Sequence, residues 1–487
     1  MRTTYVLAAV LAISIAAAAQ TPVQNFGVLA DAVKLSGCSI AAGNTTLHCP
    51  NSSFSYTDTG KVVDVAGAGN AYSGNVGNLV ATIRTVLDSN DIILSTVALN
   101  TATTATALYC TDNTSAVQRA VSQAQGTLYF PTGQYCIRGQ ISLNGSTPTT
   151  ALTGNGMWNS IIYQIGPMFQ HDGTISPATD MFYITGSNYT ITNLGLSGTN
   201  WTGIPRHCCG STQPILVENY GPANNGVFSN DRFDSSWGIG WQGWNVGGTA
   251  SNITLSYNES AYNGADGLNP NVNYSTITNN TLFNNTQAGI ESAGSHNVIS
   301  YNTCYRNAAS CISLGGGSAA GYNVVRVNVA CNNYNGITVG SATMYDEIGF
   351  NSACSNDAMG VVVESGGYTY VHDNTITDNG CTVLAQCNIQ APQTPRLTSN
   401  LGIYNTTVNN IIVNNTMGNT GVPGFTQKFG LTQESTANMT TIEGNHSIGH
   451  SLGDYYFKAS TNNYYLDPLF GVDRVSFGTA TFLPGSN

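Results

Sequence analysis

The residues best suited to chemistry gather in one stretch, Asn230 to Trp244, which reads Asn-Asp-Arg-Phe-Asp-Ser-Ser-Trp-Gly-Ile-Gly-Trp-Gln-Gly-Trp. Three of the chain's five tryptophans, Trp237, Trp241 and Trp244, lie within it. Flat indole faces suit the apolar faces of sugar rings, and the indole N–H can donate to hydroxyls. The same stretch holds Asp231 and Asp234, and Glu259 and Asp266 follow one repeat later. Glycoside hydrolysis uses paired carboxylates, one as acid and one as base or nucleophile. Asp231 and Glu259 each directly follow an Asn (Asn230 and Asn258). That spacing predicts adjacent rungs of a stacked fold, about 5 Å apart. Like charges that close push one pKa upward and keep one carboxyl protonated as an acid.

The same residue types support other readings. These acids could be solvated turn residues or calcium ligands, and the tryptophans could be core or loop anchors. Glu291 and Glu364 are further carboxylate candidates at strand ends. A lyase would need a base such as Arg or Lys, plus a group to neutralise a uronate. Only Arg232, Arg306 and Arg326 lie centrally, so Arg306 is the cation expected to meet substrate. Calcium bridging by the acids could compensate for so few cations. His207, beside Cys208 and Cys209, reads as a loop residue.

What must position these groups is a repeat. Asn258, Asn280, Asn302, Asn328, Asn351 and Asn374 recur at intervals of 22 to 26 residues. A second Asn stands five residues after each, from Asn263 to Asn379, and an aliphatic residue three before each, from Leu255 to Val371. A Gly-plus-aliphatic step follows, as in Gly267-Leu268 and Gly289-Ile290. Helical repeats run longer and leucine-rich repeats would be dense in Leu. A period of this length with short β-branched runs predicts an all-β fold, a parallel β-helix whose coils stack in register. The aliphatic columns should fill the bore, and the Asn columns should satisfy buried corner backbone. Tyr274, His296, Tyr322, Tyr345 and Tyr368 share one column, which predicts a stacked aromatic ladder. Val227 with Asn230 reads as an earlier coil, and Ile412 with Asn415 and Ile442 with Asn445 as later ones. Long interruptions at 197–214, 380–401 and 421–437 read as loops able to wall a groove.

Upstream, Asp112-Asn113-Thr114-Ser115-Ala116-Val117-Gln118 leads into Gly126-Thr127-Leu128-Tyr129-Phe130-Pro131 and then Thr132-Gly133-Gln134-Tyr135-Cys136-Ile137. This string resembles the opening segment of the pectate-lyase-like superfamily of right-handed parallel β-helices, which includes pectate lyases, rhamnogalacturonases and polysaccharide epimerases. The resemblance runs from about residue 108 to 380. It implies a helix capping the first coil, a right-handed solenoid, and chemistry on acidic polysaccharides. Asn113 departs from the pattern, standing where a second Asp is usual.

Composition agrees with a solenoid. Only 8% of the 487 residues are charged, since like charges in one column would repel at one-rung spacing. A net charge of −11 argues against nucleic acid, and no later stretch is apolar enough to span a membrane. Residues 1–19 read as a secretory signal peptide. The 12 cysteines then favour disulfides, with Cys38–Cys49, Cys110–Cys136 and Cys331–Cys354 as possible pairs. About fifteen Asn-x-Ser/Thr sequons occur, of the kind that accept glycans where the host has the machinery. Short strand-like runs at Phe26–Leu29, Lys61–Val65 and Ile92–Leu94 make residues 20–107 a small β-rich N-terminal module ahead of a solenoid over 108–487. The whole reads as a secreted protein that binds a polysaccharide and cleaves it by hydrolysis or β-elimination. A non-catalytic adhesion β-helix and a polysaccharide epimerase are the alternatives.

Overall fold

The computed structural model describes residues 20–457 except 73, 167, 170–174, 177–179, 205–213, 245–249, 316–319, 341, 365, 383–386, 388–400 and 435. It also describes three short strands beyond them, Asn463–Tyr465, Val475–Phe477 and Phe482–Leu483. The expected signal peptide, His207, Cys208 and Cys209 lie outside the described residues.

Three parallel sheets of 15, 12 and 13 strands wind into a right-handed parallel β-helix. A complete coil contributes one strand to each sheet. In one such coil, Thr276–Thr278 lies in the first sheet, Thr281–Phe283 in the second and Ile290–Ser292 in the third. The bore is a single apolar column of fully buried side chains, for example Ile277, Leu282 and Ile290, then Ile299, Cys304 and Ile312 one coil on.

The expected Asn columns are hydrogen-bonded ladders at two of the three corners. Asn302 Oδ1 accepts from both the backbone N–H and Nδ2 of Asn280. Its own Nδ2 donates to Ile277 O and to Asn328 Oδ1. The second ladder runs Asn263, Asn285, Asn307, Asn333, Asn356 and Asn379 in the same way. Corner backbone that water cannot reach is thereby paired. The residue before each ladder Asn takes a left-handed conformation, as at Asn279 (φ 55°), Arg306 (φ 56°) and Val327 (φ 57°). One residue of reversed twist plus one amide makes the tight corner. In coils such as those of Leu268 and Ile290, the glycine ahead of the third-sheet bore residue leaves room for the ladder. A Cβ on Gly267 would stand 2.8 Å from Asn285 Nδ2. At the third corner, Tyr274, His296, Tyr322, Tyr345 and Tyr368 stack with ring centroids 4.6 to 5.0 Å apart.

The helix Thr114–Gln123 closes the first coil with Val117, Ala120 and Val121 buried against it. Asn113 owes its amide to this junction: Oδ1 accepts from Leu29 N while Nδ2 donates to Leu29 O. A carboxylate could not make the second bond.

The N-terminal module is a closed six-stranded antiparallel barrel spanning Val33–Ile40 to Ala102–Cys110. Strands Val62–Val65 and Asp91–Leu94 belong to it. Phe26–Leu29 does not form the expected strand, because the chain there completes a 3-10 turn, Val23–Phe26. The chain also visits the solenoid before making the barrel, since Thr21–Pro22 pairs with Leu128–Tyr129 of the first sheet. Barrel and solenoid share an apolar seam of Val62, Val80, Leu108, Cys136, Tyr163 and Ile165. Asp64 crosses the seam, accepting from Asn78 Nδ2 and Gly166 N, and burial raises its pKa to about 6. The Cys110–Cys136 disulfide ties the two parts covalently, and Cys38–Cys49 closes a loop of the barrel. Replacing both Cys110 and Cys136 by Ser should cost about 3 kcal/mol for a loop of this length. The expected result is a lower melting temperature for the double variant than for the wild type under oxidising conditions. Cys331–Cys354 bridges adjacent rungs, and Cys304–Cys311 and Cys381–Cys387 add two more bonds.

Candidate active site

Chain length between strands singles out one face of the solenoid. The corner between the first and second sheets holds two residues in coil after coil, as at Asn279-Asn280 and Tyr301-Asn302, and lengthens only to five at 155–159. The other two corners carry the insertions: 198–216 and 378–400 between the second and third sheets, and 245–253 and 315–323 between the third and first. The third sheet is therefore bordered by long connections on both sides.

Its outward column runs Tyr183, Glu218, Gln242, Asn269, Glu291 and Ser313, one residue per rung. Beside it, Asp180 and Asp266 hold the same place in their coils, each two residues before a bore residue (Phe182 and Leu268). Each Asp meets the Glu one rung further on. Asp266 is fully buried, and its Oδ1 accepts from Ala288 N while Oδ2 accepts from Asn269 Nδ2. Burial, followed by the charge of Glu291 and a hydrogen bond to it, lifts the Asp266 pKa well above the usual carboxylate range. Asp180 is raised for the same reasons, burial first and then its hydrogen bond and charge interaction with Glu218. In each pair an Asp with a raised pKa faces a partly exposed Glu, Asp266 being fully buried and Asp180 half-buried. Asn269, 3% exposed, stands between Gln242 and Glu291 with no hydrogen-bond partner on Oδ1. The two pairs lie three rungs apart, about 14 Å.

The residues expected from sequence fall differently. Asp266 and the lesser candidate Glu291 come together on this face. Trp244, 36% exposed, ends the strand Trp241–Trp244 and lies on the same side as Gln242 by strand alternation. Trp237 and Trp241 are wholly buried. Trp237 donates from Nε1 to Thr199 Oγ1 and packs on Ile204, anchoring the loop, while Trp241 packs edge-on against Phe228 in the bore. Glu364 is exposed just past the third-sheet strand Met359–Val363, and Arg306 is exposed at the corner entering that sheet.

Asp231 and Glu259 are not a pair. The strands align Phe228 with Leu255 and Arg232 with Glu259, so it is Asp231, not Asn230, that matches Asn258. A one-residue slip in a strand exchanges inside for outside. Asp231 accordingly sits in the first ladder, fully buried, accepting from Leu194 N and receiving Asn258 Oδ1 at its own N–H. Asp234 and Glu259 point outward on the second sheet, joined by Arg232 at 3.2 and 3.1 Å. Sequence reasoning missed Asp180 and Glu218 because they precede the regular repeats. Extending the column upstream from Asp266 in steps of one coil would have reached them.

Comparison with known proteins agrees with this architecture. Residues 109–338 match the family model described as rhamnogalacturonase A/epimerase, pectate lyase-like. The solenoid is of the pectate-lyase-like type. No curated protein matches the sequence significantly. Among solved structures, the Dettilon tailspike protein gp208 is similar at 15% identity and a TM-score of 0.55. That alignment covers 72% of this chain and 65% of the tailspike, just under two thirds of its length. The A-module of the Azotobacter vinelandii mannuronan C-5 epimerase AlgE4 aligns at 16% identity, TM-score 0.47, over 77% of this chain and 96% of its own. DFA-IIIase from Arthrobacter chlorophenolicus A6 aligns at 12% identity, TM-score 0.48, over 69% and 91%. At such identities the likeness concerns the fold alone.

Proposed function

We propose that the outer face of the third sheet is the active site of a secreted, polysaccharide-cleaving enzyme acting through the Asp266–Glu291 pair. The observation that carries this reading is the fully buried Asp266 facing the partly exposed Glu291, with burial and that neighbour raising the Asp266 pKa, on the face bordered by long connections. The family description, which names a rhamnogalacturonase and an epimerase, supports a polysaccharide as the substrate. Five disulfides among the described residues suit an extracellular protein.

The pairs are too far apart to act on one bond as the usual acid and base, which stand roughly 5–9.5 Å apart. Each pair therefore works as a unit. Delivery of the shared proton from Asp266–Glu291 to a glycosidic oxygen breaks the C–O bond and leaves the pair doubly ionised. That charge stabilises the developing oxocarbenium ion. Water then adds to the sugar carbon and returns its proton to Glu291. Asn269 Oδ1 and Gln242 are placed to accept and donate to hydroxyls of the chain, with Trp244 beyond. The outward column from Tyr183 to Ser313 contains no Lys or Arg, so hydrolysis of a neutral or sparsely charged glycan fits better than elimination from a polyuronate.

The test is a panel of plant and microbial polysaccharides assayed for new reducing ends and for ultraviolet absorbance of unsaturated uronates. Reducing ends without absorbance are expected. Absorbance would replace hydrolysis by β-elimination with Glu291 as base, and neither signal would leave a binding protein.

A further inference from the structure

The second sheet carries a separate constellation where it meets the barrel. Trp158 is 57% exposed, the most exposed tryptophan among the described residues, and it projects over the sheet from the first corner. The chain can cross there because Gly195 beneath it has no side chain; a Cβ would come 2.4 Å from Met157 O. The Arg232 guanidinium stacks 4.1 Å from the Trp158 ring centroid and bonds both Asp234 and Glu259. Further along the same face Phe283 and Tyr305 stack with centroids 4.9 Å apart and planes 3° from parallel. On the barrel side, Lys34 Nζ lies 4.4 Å over the Trp201 ring, within the field of Asp234 and Arg232.

Two polar groups in this constellation remain unsatisfied. Asp234 is 6% exposed and its Oδ1 has no hydrogen-bond partner, and neither has the buried Nε1 of Trp201. Buried polar atoms of this kind are uncommon in folded proteins and call for a partner. The charges balance, two acids against two cations. Balance disfavours a phosphate or a polyuronate and favours a neutral polyol with an apolar face. The second corner separates this face from the third sheet, so one bound sugar cannot reach both.

We propose that this face is a second glycan-binding site, non-catalytic, with Trp158 as the stacking platform, Arg232 and Glu259 as the hydroxyl-binding groups and Asp234 positioning Arg232 from beneath. It rests on the preceding reading only for the class of ligand. A polymer held here raises the local concentration of its neighbouring segments at the acid pairs without contacting them.

The experiment uses the full chain. Binding to immobilised neutral polysaccharides and to a glycan array is measured for the wild type, Glu291→Gln, Trp158→Ala and Trp158→Phe. Turnover of soluble short oligosaccharides by the wild type and both Trp158 variants is measured beside it. Trp158→Ala is expected to weaken polymer binding about tenfold or more, equivalent to about 1.4 kcal/mol, while turnover stays unchanged. Trp158→Phe should recover part of the binding, which a merely structural role would not require. Undiminished binding by Trp158→Ala overturns the proposal even if cleavage is observed. Binding that depends on Trp158 in a protein that cleaves nothing upholds this site and defeats the catalytic one. No glycan binding by the wild type overturns this site.

Discussion

Glu291→Gln is expected to lower glycan cleavage by about 10²–10⁴-fold, the range that positioned acid–base groups contribute. An amide keeps the size and the hydrogen bond to Asp266 but can neither deliver the shared proton nor take one back from water. Asp266→Asn should be as damaging, and its pH profile separates the two roles. The folded-state pKa of Asp266 is raised by burial and by Glu291, so the protonated form required for activity persists through acid pH and is lost as pH climbs through that raised value. The wild type should therefore lose activity on the alkaline side. In Asp266→Asn the residual activity should show no such limb. Glu218→Gln tests the second pair: a rise in KM with kcat unchanged assigns it to binding, and a loss equal to that of Glu291→Gln assigns it to chemistry. Full activity in Glu291→Gln would remove the third sheet as the catalytic face.

Fold and site were legible in the sequence to different depths, for a physical reason. The solenoid announces itself because each ladder position demands the same chemistry in every coil, so Asn258 to Asn374 and Leu255 to Val371 recur at fixed offsets. A catalytic residue is needed once and leaves no period. Asp266 and Glu291 stand out in the sequence as acids, but the face they share emerges only from the strand register and the borders where the chain lengthens. The sequence places Asp231 one residue off because the coil around Asn230 offers two candidates for the ladder, an Asn and the Asp after it. Only strand pairing decides between them. The tryptophan cluster misled similarly: three indoles within eight residues divide among loop anchor, bore and surface, because strand alternation and the corner turn send them in different directions.

The ladder supplies an expected stability effect whose sign depends on which rung is changed. Asn302→Ala would leave the backbone N–H of Asn280 without its acceptor and remove one partner each from Asn280 Nδ2 and Ile277 O. With Asn302 fully buried, no water replaces them, and the cost should be about 3 kcal/mol. Asp231→Asn should act in the opposite direction. Asp231 Oδ1 already makes the ladder bond to Leu194 N, but Oδ2 is buried without a partner. In the next rung Asn258 Nδ2 donates to Phe228 O at the corresponding place. Phe228 pairs with Ile191, so the register offers the Ile191 carbonyl to whatever stands at Asp231. A carboxylate cannot donate to it; an amide can. Burial lifts the Asp231 pKa well above its usual value, so the folded state holds a proton that the unfolded chain releases near pH 4. Stability from this residue is therefore greatest at low pH and falls as pH rises from about 4 toward the raised folded value. Asp231→Asn should raise the melting temperature at pH 8, change it little at pH 4, and leave glycan cleavage intact. Melting curves of the two variants and the wild type at both pH values check the signs together. A variant that melts like the wild type at pH 8 yet cleaves nothing would move Asp231 from the ladder to the chemistry.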